Sequence, residues 1–274
     1  MDFWEAAAPG WIRRQALMRQ FAAPVSHAMV QAIEPQPGQR VLELAGGLGE
    51  TGMLAAELVR PGGYVIISDQ ATAMLDGART RARELELDNV RFQPINGEWI
   101  DLPVASVDAV LCRFGFMLMV DPLAALVEVR RVLAPGGHLA LAVWDAASHN
   151  PWALQPATEL IERGLLPTPA DRDQFEPGPF ALGDAGYLAG LLQDAGFVEP
   201  TVRALELSQR HASFEDFWET MLDLSRVTHD AVMARPEEEI AEISAAIAQR
   251  MAPHMASDGT LEIPGRALLG VASA

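Results

Sequence analysis

Lysine is absent from the 274-residue sequence, so all 20 of its Lys and Arg positions are arginine; tyrosine occurs twice, at Tyr64 and Tyr187, and cysteine once, at Cys112. Without lysine there can be no Tyr-x-x-x-Lys pair, which weakens a nicotinamide-dependent oxidoreductase reading. One cysteine closes no internal disulfide and builds no multi-cysteine zinc site, which fits a reducing compartment and leads us to expect no metal. No apolar run reaches the ~18 residues of a membrane-spanning helix. The first residues, MDFWEAAAPGW, carry acids and tryptophan where an export signal is basic and then apolar. The expectation is a cytoplasmic protein without membrane insertion. Positive charge is also scarce: 37 acidic residues give a net charge of -17. Such an envelope repels phosphate backbones and anionic lipid, which excludes nucleic acid as a partner and favours a small neutral or cationic substrate. There is no internal repeat.

Half of the residues are apolar, enough for a full core in one domain of ordinary size. From residue 38 to 144, β-branched runs alternate with helical patterns. The expected strands are RVLELA (40–45), YVIISD (64–69), VRFQPI (90–95), VDAVLCRF (107–114) and HLALAVW (138–144). Between them the apolar residues recur every three or four positions, so the pattern predicts right-handed crossovers and a mainly parallel α/β sheet covered on both faces. Pro61-Gly62-Gly63 and Pro135-Gly136-Gly137 each close a helix and open a strand. After Trp144 the alternation breaks into a Pro- and Asp-rich loop-and-helix excursion over 145–185. Helix GYLAGLLQDAG, a strand near 200–207, a helical region over 213–255 and a last strand near 266–273 follow. Ser213 to Asp216 reads as a capping box, opening a helix with Phe214, Phe217, Trp218, Met221 and Leu222 on one side. A lid, an interface with a second copy in a homodimer, and core packing all account for that stripe.

The stretch ELAGGLGETG places Gly47, Gly49 and Gly52 in a G-x-G-x-x-G pattern directly after the first expected strand. In an open α/β sheet ligands sit beyond the carboxyl ends of the strands, and glycines there let a ligand approach closer than a Cβ allows. Asp69 ends the second strand, where a carboxylate can accept both hydroxyls of a ribose. To this point an NAD(P) ligand fits as well as any other adenosine ligand. Glu43, before the glycines, would repel a pyrophosphate and attract an ammonium group. The first basic residue after the glycines is Arg60, at the far end of the helix, so no cation stands ready for a diphosphate. Glu98, in the loop INGEWIDLP, can accept from an adenine amine while the Trp99 N–H faces a ring nitrogen.

Taken together, VLELAGGLG at 41–49, Asp69, GEWIDLP at 97–103 and VDAVLCRFGFMLMVDP followed by RRVLAPGGHLALAVW resemble the class I S-adenosylmethionine-dependent methyltransferases. Residues 38–144 are similar to the branch containing the ubiquinone and menaquinone biosynthesis C-methyltransferases. Two departures stand out: Ala45 replaces a usual glycine and Glu43 a usual aspartate. The resemblance implies a Rossmann-like fold with a seven-stranded sheet, a helical cap over 1–37, and a cofactor-binding domain over 38–274 with helical lid insertions at about 145–185 and 210–260. It implies that Glu43 and the backbone of Ala45, Gly46, Gly47 and Gly49 hold the methionine end of S-adenosylmethionine, helped by Thr51. Asp69 would take the ribose, Gln70 and Met74 would flank the adenine, and Gly97, Glu98 and Trp99 would read its edge. Cys112 and Arg113 would face the methionine moiety and the reacting methyl, unless Arg113 instead pairs with Asp145 or Asp121.

A sulfonium methyl is already electrophilic, so the protein has mainly to align a nucleophile and exclude water. A phenol, enol or ring carbon also has a proton to lose. Of the six histidines, His149 follows the fifth strand on the ligand side and is the first candidate base; His211 is the second, and a surface role is the alternative for both. Arg113 is the other catalytic candidate. No Asp-Pro-Pro-Tyr motif occurs, so the expected acceptor is a small planar or lipophilic molecule, methylated on O or C and leaving S-adenosylhomocysteine as product. The amino-terminal segment, the Asn150-Pro-Trp152 region and the helix around Trp218 are expected to cover it. An oxidoreductase and a non-catalytic S-adenosylmethionine-binding or dimer module are the competing readings.

Overall fold

The computed structural model describes residues 2–168 and 176–274. Two helices, α1 (Asp2–Arg13) and α2 (Gln15–Ile33), precede an alternating run: β1 (Arg40–Glu43), α3 (Glu50–Leu58), β2 (Tyr64–Asp69), α4 (Thr72–Glu84), β3 (Val90–Pro94), β4 (Val107–Arg113), α5 (Pro122–Val132) and β5 (Leu133–Trp144). Then come α6 (Pro151–Glu162), α7 (Ala185–Asp194), β6 (Val198–His211), α8 (Phe214–Leu224), α9 (Arg226–Met233), α10 (Glu237–Met251) and β7 (Leu261–Ser273). The strands form one sheet in the order β3-β2-β1-β4-β5-β7-β6. β1 to β5 pair in parallel, and β7 enters antiparallel between β5 and β6. Strand order reverses beside β1, between the ends of β1 and β4, where a ligand crevice opens.

Local chemistry explains the element ends. Asp121 accepts from the Ala124 N–H with Pro122 at the first helical position, starting α5. Asp184 caps α7 through the Tyr187 N–H. Ser213 caps α8 through the Asp216 N–H, while the Asp216 carboxylate reaches back to the Ala212 N–H, one residue before the expected partner. β1 stops at Glu43 because Ala45 turns into the left-handed region, φ 50.

The sheet core joins β1, β2, β4 and β5 to α2, α3 and α5 through residues such as Met29, Leu42, Ile67, Leu111, Leu126 and Leu141. β6 and β7 run longer than expected, and residues 261–266 of β7 pair with β6 past the last position that β7 shares with β5. A second core fills the space beneath that extension: Leu160, Phe217, Val232, Ile243, Ile247 and Leu261. The stripe on α8 is thereby resolved, with Phe214 and Phe217 buried in this second core and Trp218 packed against it. Positions 169–175 of the expected excursion lie outside the described residues.

α1 lies across the carboxyl ends of the strands and is fastened at two places. Glu5 accepts from the backbone N–H and hydroxyl of Thr72, capping α4, whose own preceding residue Ala71 has no side chain for the task. At the other end Arg14, in the break between α1 and α2, binds Asp216, Glu219 and Asp223 of α8, and Arg13 also reaches Asp223. Among the described residues no helix is long and apolar enough to cross a membrane.

Candidate active site

A cavity of about 310 Å³ sits between the carboxyl ends of β1, β2 and β4 and the roof made by α1 and α2. Its floor is the loop Ala45 to Leu48 with Glu50; one side is Asp69, Gln70 and Met74; the far side is Ile95 to Glu98; Arg113, Phe114 and Gly115 close it at the end of β4. Of the cofactor residues expected from sequence, Ala45, Gly46, Gly47, Asp69, Gln70, Met74, Gly97, Glu98 and Arg113 line this one cavity.

Asp69 has two jobs in this geometry. Its Oδ2 accepts from the Gly47 N–H and its Oδ1 from the Ala71 N–H, both at 2.9 Å, so the carboxylate fastens the glycine loop to β2. Burial nonetheless raises its pKa above the usual value against those bonds. Each oxygen keeps a further lone pair for ligand hydroxyls. Glu98 accepts from the backbone N–H of Val120 at 2.6 Å and of Asp121 at 3.1 Å, which ties the loop after β3 to the loop after β4.

Five expected residues do not line the cavity. Glu43 is 1% exposed and lies beneath the glycine loop, accepting from the Thr51 N–H at 3.2 Å. A Cβ on Gly46 or Gly52 would come within 2.9 or 2.5 Å of its carboxylate, so the glycines are packed over it and shield it from ligand. Thr51 is buried and shares a hydrogen bond with Ser26 of α2 at 3.0 Å. Gly49, φ 78, forms the left-handed start of α3. Cys112 faces the core, where burial pushes its thiol up to about 12. Trp99 is 75% exposed, and its N–H, expected to meet a ring nitrogen, donates to the Asn96 carbonyl at 3.0 Å. A two-residue hairpin consumes that donor.

The candidate catalytic pair separates. Arg113 lines the cavity, and neither Asp145 nor Asp121 pairs with it: Asp145 binds Arg266, and Asp121 caps α5. Among the described residues no hydrogen bond or ion pair engages the Arg113 guanidinium, whose Cζ stands 6.0 Å from the Phe114 ring centroid. Burial lowers its pKa, opposed by the charges of Glu43 and Glu50. His149 lies outside the cavity, beside Asp145 at 3.5 Å and against Arg266. His211 is buried in the second core, edge-on to Phe217. Neither histidine reaches the cavity.

Sequence reading missed Glu50, Ile95, Asn96 and Phe114. It anticipated an amino-terminal cover, and Trp4, Trp11, Gln15 and Met18 do line the cavity; their spacing of 7, 4 and 3 residues is the signal of one helical face. The other two expected covers do not take part: Trp152 packs in the sheet-core aromatics and Trp218 in the second core. Phe114 is held at φ 61 and stacks on Trp144 with centroids 4.1 Å apart and planes 12° apart; Trp144 in turn stacks on Phe21. A bulky residue in the left-handed region is strained, and such strain gathers at binding sites.

The lining fits S-adenosylmethionine. Trp11 Nε1 and Glu50 Oε1 are buried without a hydrogen-bond partner, Arg113 has no hydrogen bond or ion pair among the described residues, and the approach to the loop is kept open by glycine. An orphaned donor, an orphaned acceptor and a free guanidinium suit a zwitterion, and the acid at Asp69 suits a ribose.

Comparison with known proteins agrees. A family model for the methyltransferase domain matches residues 35–165. The chain is 32% identical over 177 residues to a ubiquinone/menaquinone biosynthesis C-methyltransferase of Shewanella frigidimarina, covering 61% of this chain and 70% of the relative. The crystal structure of the YcgJ protein from Bacillus subtilis superposes with a TM-score of 0.58 at 18% identity, covering 90% of this chain and 97% of that one. The [4+2]-cyclase SpnF does so with a TM-score of 0.55 at 15% identity, covering 98% and 95%. These two show the fold. From its fold and its likeness to the Shewanella enzyme, the chain belongs to the class I S-adenosylmethionine-dependent methyltransferases, on the branch of the ubiquinone and menaquinone biosynthesis C-methyltransferases, with S-adenosylmethionine as cofactor.

Proposed function

We propose that this methyltransferase acts on a small planar or lipophilic acceptor, at carbon or oxygen, in the cavity beside Arg113 and Phe114. One observation carries the reading: the wall there is aromatic and preformed, the Phe114 ring being backed by Trp144 and Phe21, under a roof of Trp4, Trp11 and Met18. A rigid aromatic wall favours a flat unsaturated partner through stacking worth roughly 0.5–1.5 kcal/mol beyond its buried area. Bound S-adenosylmethionine supplies an electrophilic methyl. The residues of this chain position and dry the site: Asp69 receives the ribose, Gln70, Met74 and Asn96 surround the base, and Arg113 stands where β4 ends. With no histidine or tyrosine among the lining residues, an acceptor that is already an enolate or phenolate, or readily becomes one, is favoured over one that needs a strong base. The Shewanella relative's name points to quinone-type rings, and the single cysteine suits a cytoplasmic setting.

The test is a mass-spectrometric acceptor screen of hydroquinones, naphthols and other phenols against small amines, with Phe114→Leu alongside. Methyl transfer to the flat phenols, lost in Phe114→Leu with cofactor binding retained, is the expected result; transfer to amines alone would refute it. The likeness to SpnF supports a second reading, in which the cofactor-binding fold serves a cyclisation. Product formation without consumption of S-adenosylmethionine would be its mark.

A further inference from the structure

The identity of the groups that hold the amino-acid end of the cofactor changes once Glu43 is seen beneath the loop. The end has an ammonium, which needs an anionic acceptor, and a carboxylate, which needs donors. Buried polar atoms without partners are costly, so a cluster of them beside one cavity marks a place built for a ligand. Three such atoms gather here: Glu50 Oε1, Trp11 Nε1 and Arg19 Nη1. Glu50 and Trp11 line the cavity, and Arg19 directly follows the lining residue Met18. After burial, the charge of Arg19 acts on the Glu50 carboxylate more strongly than that of Arg113 or Arg81, yet the two form no ion pair within 4 Å. Among the described residues no hydrogen bond or ion pair engages the Arg19 guanidinium. An acid and a base that face one region, each with an unused buried atom and no bond between them, leave room for a group carrying both charges.

We propose that Glu50, Arg19 and Trp11 form the subsite for the zwitterionic amino-acid end of S-adenosylmethionine, Glu50 taking the ammonium and Arg19 with the Trp11 indole N–H taking the carboxylate. The inference rests on the cofactor assignment above. Two of the three residues come from α1 and α2, so the amino-terminal helices are part of cofactor recognition as well as a roof. Glu50 stands at the first position of α3 and lines the cavity, whereas Glu43 does not. The same placement makes ligands lacking the amino-acid end poor binders, because they leave all three atoms unsatisfied.

The test is calorimetric titration with two probes, S-adenosylhomocysteine and 5′-methylthioadenosine, which share the adenosine half and differ in the amino-acid end. Glu50→Gln and Arg19→Met are each expected to weaken S-adenosylhomocysteine by about tenfold or more, as for loss of a hydrogen bond to a charged group. Trp11→Phe is expected to weaken it less, and all three to leave methylthioadenosine unchanged. Unchanged S-adenosylhomocysteine affinity, or equal loss of both probes, would overturn the inference. Failure of the unsubstituted protein to bind either probe would overturn the cofactor assignment itself, a result distinct from selective silence of the variants.

Discussion

Two carboxylates near the glycine loop look alike in sequence and differ in place. Glu43 and Asp69 each end a strand, each in a position to meet a ligand. In the fold Asp69 lines the cavity, while Glu43 is sealed below the loop with Oε2 unpaired. Burial, opposed by the Arg113 charge and the Thr51 amide, raises the Glu43 pKa from 4.5 to about 7. The consequence for stability has a definite sign. Below 4.5 the group is protonated both folded and unfolded; between 4.5 and about 7 the unfolded chain gives up the proton and the folded chain keeps it, so stability falls as pH rises. Above that window the dependence ends. Glu43→Gln should therefore flatten the profile and gain most over the parent at pH 8, as urea unfolding of the two proteins at pH 5.5 and 8 would measure. A steeper loss at acid pH in the parent would contradict the sign.

At the scale of elements, the apolar stripe of α8 was open to three readings, and Phe214 and Phe217 pack in the second core. Phe217 is 3% exposed, against Phe214, Ile247 and Leu261 of the second core. Phe217→Ala should cost about 3–5 kcal/mol in denaturant unfolding while leaving cofactor affinity in the folded fraction unchanged. A near-neutral effect on stability would return α8 to the role of a lid. Residues of the amino-terminal helices, and none of α8, line the cavity. A Cβ on Gly10 would meet the Asp223 carbonyl oxygen at 2.0 Å, so α1 lies directly on the end of α8, and the Arg13 and Arg14 ion pairs hold it there. The helical spacing of Trp4, Trp11, Gln15 and Met18 was readable in the sequence; what that face met was not, because a helix face specifies burial without naming its partner.

For the whole molecule the net charge of -17 sets the balance. Many of the 20 arginines are drawn into local pairs, such as Arg14 with α8 and Arg250 with Glu159, and the acids in excess repel one another. Exposed pairs contribute roughly 0–1 kcal/mol each, so screening of the repulsion should dominate. Raising ionic strength from a few millimolar to about 0.15 M, where the screening length is about 8 Å, is expected to raise the thermal midpoint. A fall would show that the ion pairs outweigh the repulsion.

By itself the sequence determined the alternation of strands and helices, the glycine loop and the acid at Asp69, because periodicity, turn chemistry and loop position are local properties of the chain. From these the parallel sheet and its ligand end follow by general rules of chirality and crevice position. Tertiary structure alone decided which side chains reach the ligand. It placed Glu43, Cys112 and Thr51 in the interior, His149 outside, and Glu50, Asn96 and Phe114 at the wall. The reason is physical: exposure of a side chain at a strand end depends on what the next loop and a distant helix lay over it. Here glycine packing at Gly46 and Gly52 and the position of α1 made that choice, and neither is written in the residues next to the site.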